Sequence, residues 1–145
     1  MFTAGPRYNQ PYTYNPDING NFQITAIDTL LPSSQIIKEA FIYWAGSGSG
    51  DTTITLNGTD IEADDTLNVT FPDAFNGDLT YFSCYKNITE LVTTTGNGTY
   101  TVENLSIADV LLSNPGYCAN RTNFAGWSIF IIYEEAALPL NQVNL

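Results

Sequence analysis

Histidine is absent from all 145 residues, which removes the Ser/His/Asp and Cys/His nucleophile systems and every His-containing zinc site. Positive charge is nearly as scarce. Arg7, Lys38, Lys86 and Arg121 stand singly against fifteen Asp and Glu, for a formal net charge of −11. A phosphate backbone or an anionic bilayer requires a basic face, so nucleic acid is excluded as a partner and a charged membrane surface is disfavoured. No apolar run approaches the roughly 20 residues of a bilayer span, and Met1 to Pro6 lacks the apolar stretch of a signal peptide. No membrane insertion by this segment is expected. It reads either as cytoplasmic or as a mature or excised piece of an exported chain. Only 13% of residues are charged while Thr, Asn, Ser and Gly abound, a balance that favours the exported, extracellular piece.

Cysteine is limited to Cys84 and Cys118, with no CxxC spacing. An even, widely spaced pair predicts one disulfide, with two buried thiols as the alternative. Closing that loop would stabilise by about 4 kcal/mol in the chain-entropy account.

What the chain has in quantity is short, β-branched and aromatic runs separated by turn residues. The richest is Ala125 to Glu135, AGWSIFIIYEE, whose weak alternation predicts a strand covered on both faces at the middle of a sheet. Phe22 to Leu30 and Gln35 to Ala45 predict further strands, the second deeply buried through Trp44. Thr52 to Ala63 places two alternating runs about Asn57-Gly58, the pattern of a hairpin closed by a type I′ turn. Leu67 to Phe71, Thr80 to Tyr85, Thr99 to Leu105 and Asn141 to Leu145 complete the set. Asn87 followed by Glu90 predicts a capped helical turn, and residues 106 to 124 read as loop. Some eight short strands with at most one helical turn predict an all-β fold, an antiparallel β-sandwich or jelly roll. Residues 22 to 145 are expected to form that single domain. Residues 1 to 21, rich in Tyr and Pro, are expected to be an arm or linker, either a loose tail or an edge strand.

Carboxylates are plentiful, but Asp64-Asp65 and Glu134-Glu135 would point to opposite faces of strands, which argues against a glycosidase pair. No enzymatic activity and no required cofactor are expected. Asn15, Asp17 and Asn19 place oxygen side chains at alternate positions before Gly20, as in the first half of a calcium loop, yet the closing Glu falls on Ala26. The readings are a turn or a looser calcium site. Asn57, Asn68, Asn87, Asn97, Asn104 and Asn120 each fit the N-glycosylation acceptor pattern, with Asn57 and Asn97 foremost because they fall in turns. Tyr8, Tyr12 and Tyr14 could stack on sugar rings or simply pack. Lys38 is the better of two candidate donors for an intramolecular isopeptide link.

The segments AFIYWAG at 40–46, ITLNG at 54–58, NITELV at 87–92, GNGTYTV at 96–102 and AGWSIFIIYE at 125–134 together resemble an N-terminal-type β-sandwich module of large prokaryotic cell-surface adhesin or stalk proteins. The resemblance covers about residues 22 to 145 and leaves the Tyr/Pro arm unmatched. It implies location and architecture, with no catalytic residues to carry over. The resulting expectation is a non-enzymatic structural or adhesive module, whose partners are further domains of its own chain, copies of itself, or a glycan or other surface ligand. A second expectation is a filament subunit assembled by strand donation from a terminal arm, and a third is a carbohydrate-binding domain.

Overall fold

A computed structural model describes residues 2–4, 25–119 and 123–136. Among these residues nine strands lie in two antiparallel sheets that face each other. In chain order they are β1 (Phe2–Ala4), β2 (Thr25–Thr29), β3 (Ile36–Ser47), β4 (Thr53–Leu56), β5 (Thr59–Glu62), β6 (Asp65–Asp73), β7 (Gly77–Asn87), β8 (Gly98–Glu103) and β9 (Ala125–Glu134). One sheet runs β1-β9-β3-β7-β6 and the other β2-β8-β4-β5. The expected antiparallel β-sandwich is therefore the fold.

Alternation builds the core. Along β3, Ala40, Ile42 and Trp44 point inward, and across the antiparallel register Trp44 lies opposite Trp127 of β9 and Cys84 of β7. Ile54 and Leu56 of β4 and Tyr100 and Val102 of β8 close the same core from the other sheet. Each of these large apolar side chains contributes about 1.5–3 kcal/mol by leaving water. The Trp44 indole N–H is not left unpaired, because it donates to the Asp51 carbonyl at 2.7 Å.

The Thr52 to Ala63 hairpin forms as its sequence dictates. Asn57 and Gly58 both adopt positive φ, 49° and 76°, the conformation of a type I′ turn that matches the twist of the paired strands. Asn57 then does more than turn the chain. Its backbone N–H donates to the Thr101 carbonyl at 2.9 Å and its Oδ1 accepts the Thr101 N–H at 2.8 Å, so the turn is sewn onto β8.

Several expectations are corrected. The middle of the larger sheet is β3, not the 125–134 run. β9 lies one strand out and alternates after all: Ala125, Trp127, Ile129 and Ile131 are buried while Gly126, Ser128, Phe130 and Ile132 are half-buried. Among the described residues its continuous apolar sequence reflects a half-buried, aromatic outer face and no second sheet over it. Residues 106 to 124 are not loop alone, since they hold α2 (Ala108–Ser113) and α3 (Gly116–Ala119), and with α1 (Thr89–Thr95) the described residues include three short helices where one turn was expected. The first residue flanking α1 is Ile88, without a side-chain cap. Asn87 Oδ1 instead accepts the Thr89 N–H in a local turn at 3.0 Å, while the Asn87 N–H is taken by Asp64 Oδ2 at 2.8 Å, so Glu90 has no capping role to play.

The expected Cys84 to Cys118 disulfide is not formed. Both thiols are free, one buried and one exposed. Cys84 faces the core from β7 with its Sγ 3.3 Å from Thr66 Oγ1, whereas Cys118 lies on α3, outside the sandwich. Alternation decides the outcome: α3 packs on the outer face of β7, and Cys84 points to the inner one.

Candidate interaction edge

β6 closes one side of the larger sheet, and its free edge can be read from hydrogen-bond parity. Between β3 and β7 the backbone bonds Ile88 N–H to Ala40 O and Gly48 N–H to Thr80 O bracket the ladder, 2.8 and 2.7 Å long. Bonded pairs recur every second residue in an antiparallel ladder, so even-numbered residues of β7 bond toward β3 and odd-numbered ones toward β6. The register Leu67↔Ser83, Val69↔Tyr81, Phe71↔Leu79 then assigns the odd residues of β6 to β7. Thr66, Asn68 and Thr70 turn their peptide groups outward. Asp65 Oδ1 accepts the Thr66 N–H at 2.8 Å, and Pro72 has no N–H to offer. Among the described residues no strand pairs with this edge, which presents two donors, at Asn68 and Thr70, and a row of carbonyls.

The side chains of the odd residues stand on the outer face and are unusually apolar for their exposure. Leu67 is 70% exposed, Val69 63%, Phe71 58% and, at the hairpin tip, Phe75 95%. The tip is built rather than loose. Asp73 Oδ1 accepts the N–H groups of Phe75 and Asn76 and the Asn76 side-chain amide, at 3.0, 2.8 and 2.8 Å, which fixes the chain that carries Phe75. Gly116 of α3 closes against the same turn, where any Cβ would come within 2.4 Å of Asn76 Cβ.

Inboard of β6 the outer face becomes aromatic. Tyr43 meets Phe130 edge-on with ring centres 5.2 Å apart and lies 5.9 Å from Tyr85. Tyr81 stacks on Phe124 and meets Tyr117 edge-on at 5.8 and 5.7 Å. The Tyr117 hydroxyl also accepts the Thr80 N–H at 2.8 Å and donates to the Thr80 carbonyl at 2.9 Å, which anchors α3 to the first half of β7. α3 thus braces the hairpin β6-β7 from the same outer face, through Tyr117 at Tyr81 and Thr80.

The other edges are treated differently. β5 carries Asp60 and Glu62, and β2 carries Asp28, the inserted charges with which sheets discourage edge pairing. β1 is only three residues long. Thr66 through Pro72 contains no charge, and a nine-residue strand spans about 30 Å.

Charge around the edge is negative. The described residues carry fourteen carboxylates and two lysines, and both lysines are engaged: Lys38 with Glu134 and Lys86 with Asp64. Lys38, a candidate isopeptide donor, stands exposed in its pair with Glu134, whereas such a link needs a buried lysine. Asp64 is held below the usual carboxylate range, first by the Asn87 N–H and then by Lys86. Asp51 is pushed above it by burial, against hydrogen bonds from the Ser106 and Thr53 backbone. Burial likewise raises the Cys84 thiol and the Tyr100 hydroxyl. Asp64 accepts from the Asn87 N–H and Lys86 Nζ, whereas Asp65 accepts the Thr66 N–H.

The remaining sequence candidates separate by amide geometry. Asn57, Asn68, Asn87, Asn97 and Asn104 are all exposed. Asn97 nevertheless bonds Leu31 twice, its Nδ2 donating to the carbonyl at 2.9 Å and its Oδ1 accepting the N–H, and Asn104 Nδ2 donates to Thr55 Oγ1 at 2.8 Å. Asn68 stands on the open strand. Asn15, Asp17, Asn19, Tyr8, Tyr12, Tyr14 and Asn120 lie outside the described residues, as does the strand expected at 141–145. Among the described residues no three His, Cys, Asp or Glu side chains gather as a metal set, and no helix is long and apolar enough to cross a membrane. Sequence reasoning marked Leu67 to Phe71 as a strand but missed its edge position. The signal was available in its uncharged alternation beside the charged alternation of β5.

Comparison with known protein families, curated proteins and solved structures finds no match to this chain.

Proposed function

We propose that this chain is a non-enzymatic structural and adhesive module of an extracellular surface protein, acting by protein contact through the β6 edge. The observation that carries the reading is the juxtaposition of open peptide groups at Asn68 and Thr70 with exposed Leu67, Val69, Phe71 and Phe75 on a hairpin braced by α3. Backbone pairing supplies adhesion and the alternating apolar row supplies selectivity, the mode by which an extended segment adds to a sheet. Low charge content, abundant Thr and Asn, and the resemblance to surface modules support the location. Replacing Val69 by Lys in the chain as its source makes it tests the reading. Loss of cell attachment, with the protein still present on the cell surface, is the expected result. Unchanged attachment, or a protein found only inside cells, refutes it.

The same long open edge favours a second reading, a filament subunit whose β6 accepts a strand from a neighbour's terminal arm. Deleting residues 1–21 separates the two. A filament subunit stops assembling, whereas a module keeps its attachment.

A further inference from the structure

We infer that the occupant of the β6 edge is an extended segment of another protein, apolar at alternate positions and flanked by Lys or Arg, rather than a second copy of this chain. This rests on the reading of β6 as a contact edge. Electrostatics decides between the occupants. The uncharged stretch Thr66 to Pro72 is framed by Asp65 at one end and by Asp78, opposite Pro72 in the register, at the other. A chain of net charge −11 repels its own copy and attracts a cationic partner. Local pairing gives the same answer. A two-fold through Val69 would place Leu67 opposite Phe71 of the second copy, which suits the apolar row, but would set Asp65 opposite Asp73, and like charges directly opposite destabilise a strand pair. A segment with cations at its ends meets those carboxylates instead, while its alternate apolar side chains lie beside Leu67, Val69 and Phe71.

The test is a fluorescence-anisotropy titration of the 145-residue chain with labelled nine-residue peptides alternating valine and threonine, one with lysine and one with glutamate at both ends. The lysine peptide is expected to bind at least tenfold more tightly at low salt, with the gap narrowing as salt rises. Asp65→Asn, whose amide oxygen can still accept the Thr66 N–H, should weaken the lysine peptide selectively. Val69→Lys, at an exposed edge position where lysine is tolerated, should abolish binding of both while circular dichroism stays unchanged. Equal binding of the two peptides would keep β6 as an acceptor and overturn the cationic partner. Failure of both, with self-association that Val69→Lys removes, would overturn it in favour of a second copy. If neither peptide binds and the chain stays monomeric, the contact edge itself is refuted.

Discussion

The Tyr117 hydroxyl offers a direct measure of what α3 contributes to the sandwich. Beyond the end of the β3-β7 ladder, Gly48 still donates to the Thr80 carbonyl at 2.7 Å, but the Thr80 N–H is answered by Tyr117 Oη at 2.8 Å. Tyr117→Phe keeps the ring, and with it the edge-on contact to Tyr81 at 5.7 Å. It deletes only the oxygen. The Thr80 carbonyl retains Gly48, so the loss falls on one half-buried N–H, and leaving such a donor unpaired costs about 1–3 kcal/mol. Because the site is half-buried, about 1–2 kcal/mol is expected, which for a chain of this size lowers Tm by several degrees, at about 2–4 °C per kcal/mol. Urea denaturation should show an earlier midpoint with an unchanged slope, since no additional surface is exposed in either state. Tyr117→Ala, which also removes the ring from Tyr81, should cost about 3–5 kcal/mol in total. A Phe variant within about 0.5 kcal/mol of the parent, the ordinary range for surface substitutions, would refute the argument that Tyr117 stands in for a missing strand partner.

Asp51 should give stability a distinctive pH dependence. Its carboxyl is held above the ordinary 3.8 by burial, so the folded chain keeps that proton to higher pH than the unfolded one. The contribution favours folding below 3.8 and is lost as pH rises through the raised value. Asp51→Asn should therefore gain on the parent in denaturation midpoint as pH rises from 3.8 toward neutrality. Asp64, held low by the Asn87 N–H, acts with opposite sign: its contribution is present above 3.8 and fades as pH falls below it, so Asp64→Asn should lose ground most at neutral pH. Reducing agent should leave Tm unchanged, and native alkylation followed by mass spectrometry should label Cys118 rapidly and Cys84 only on unfolding; a reduction-sensitive Tm would restore the disulfide. Asn97→Asp turns a donor at the Leu31 carbonyl into an acceptor and should cost about 1–3 kcal/mol in chemical denaturation.

The fold was legible in this sequence to the extent that it depends on local alternation and turn chemistry. Asn57-Gly58 fixed a hairpin because both residues had to accept positive φ, and the inward row Ala40, Ile42, Trp44 was visible in the run itself. Strand order was not legible. The apolar run at Ala125 to Tyr133 suggested the middle of the sheet, yet β3 occupies it, because Phe130 and Ile132 face an aromatic outer surface that sequence cannot distinguish from a covering layer. The helices α2 and α3 escaped for a different reason. Ala108–Ser113 and Gly116–Ala119 are too short for periodicity to register, and α3 is held by the long-range bonds of Tyr117 to Thr80. The thiols were misread because spacing carries no information about which face of a strand a cysteine occupies.

Where strands end in this sandwich, side chains repeatedly take the place of a neighbouring peptide. Thr89 Oγ1 accepts the Ala40 N–H at 2.9 Å and donates back to its carbonyl at 3.5 Å. Thr29 Oγ1 treats Gly98 in the same way, Ser47 Oγ treats Phe124, and the Asn97 amide treats Leu31. Tyr117 does so for Thr80. Each device satisfies both polar groups of one residue at a point where the ladder has run out, which is what a buried backbone requires. The Thr, Asn and Ser at these positions are therefore structural parts, and the abundance that suggested glycan acceptors has a second explanation in Asn97 and Asn104. Against that background β6 is the exception. The chain has the means to close a strand edge and uses them at five residues, yet the N–H groups of Asn68 and Thr70 receive none of them, and the row beside them is apolar. A long uncharged edge with no partner among the described residues, in a molecule that charges or shortens its other edges, is expected to be closed by something else.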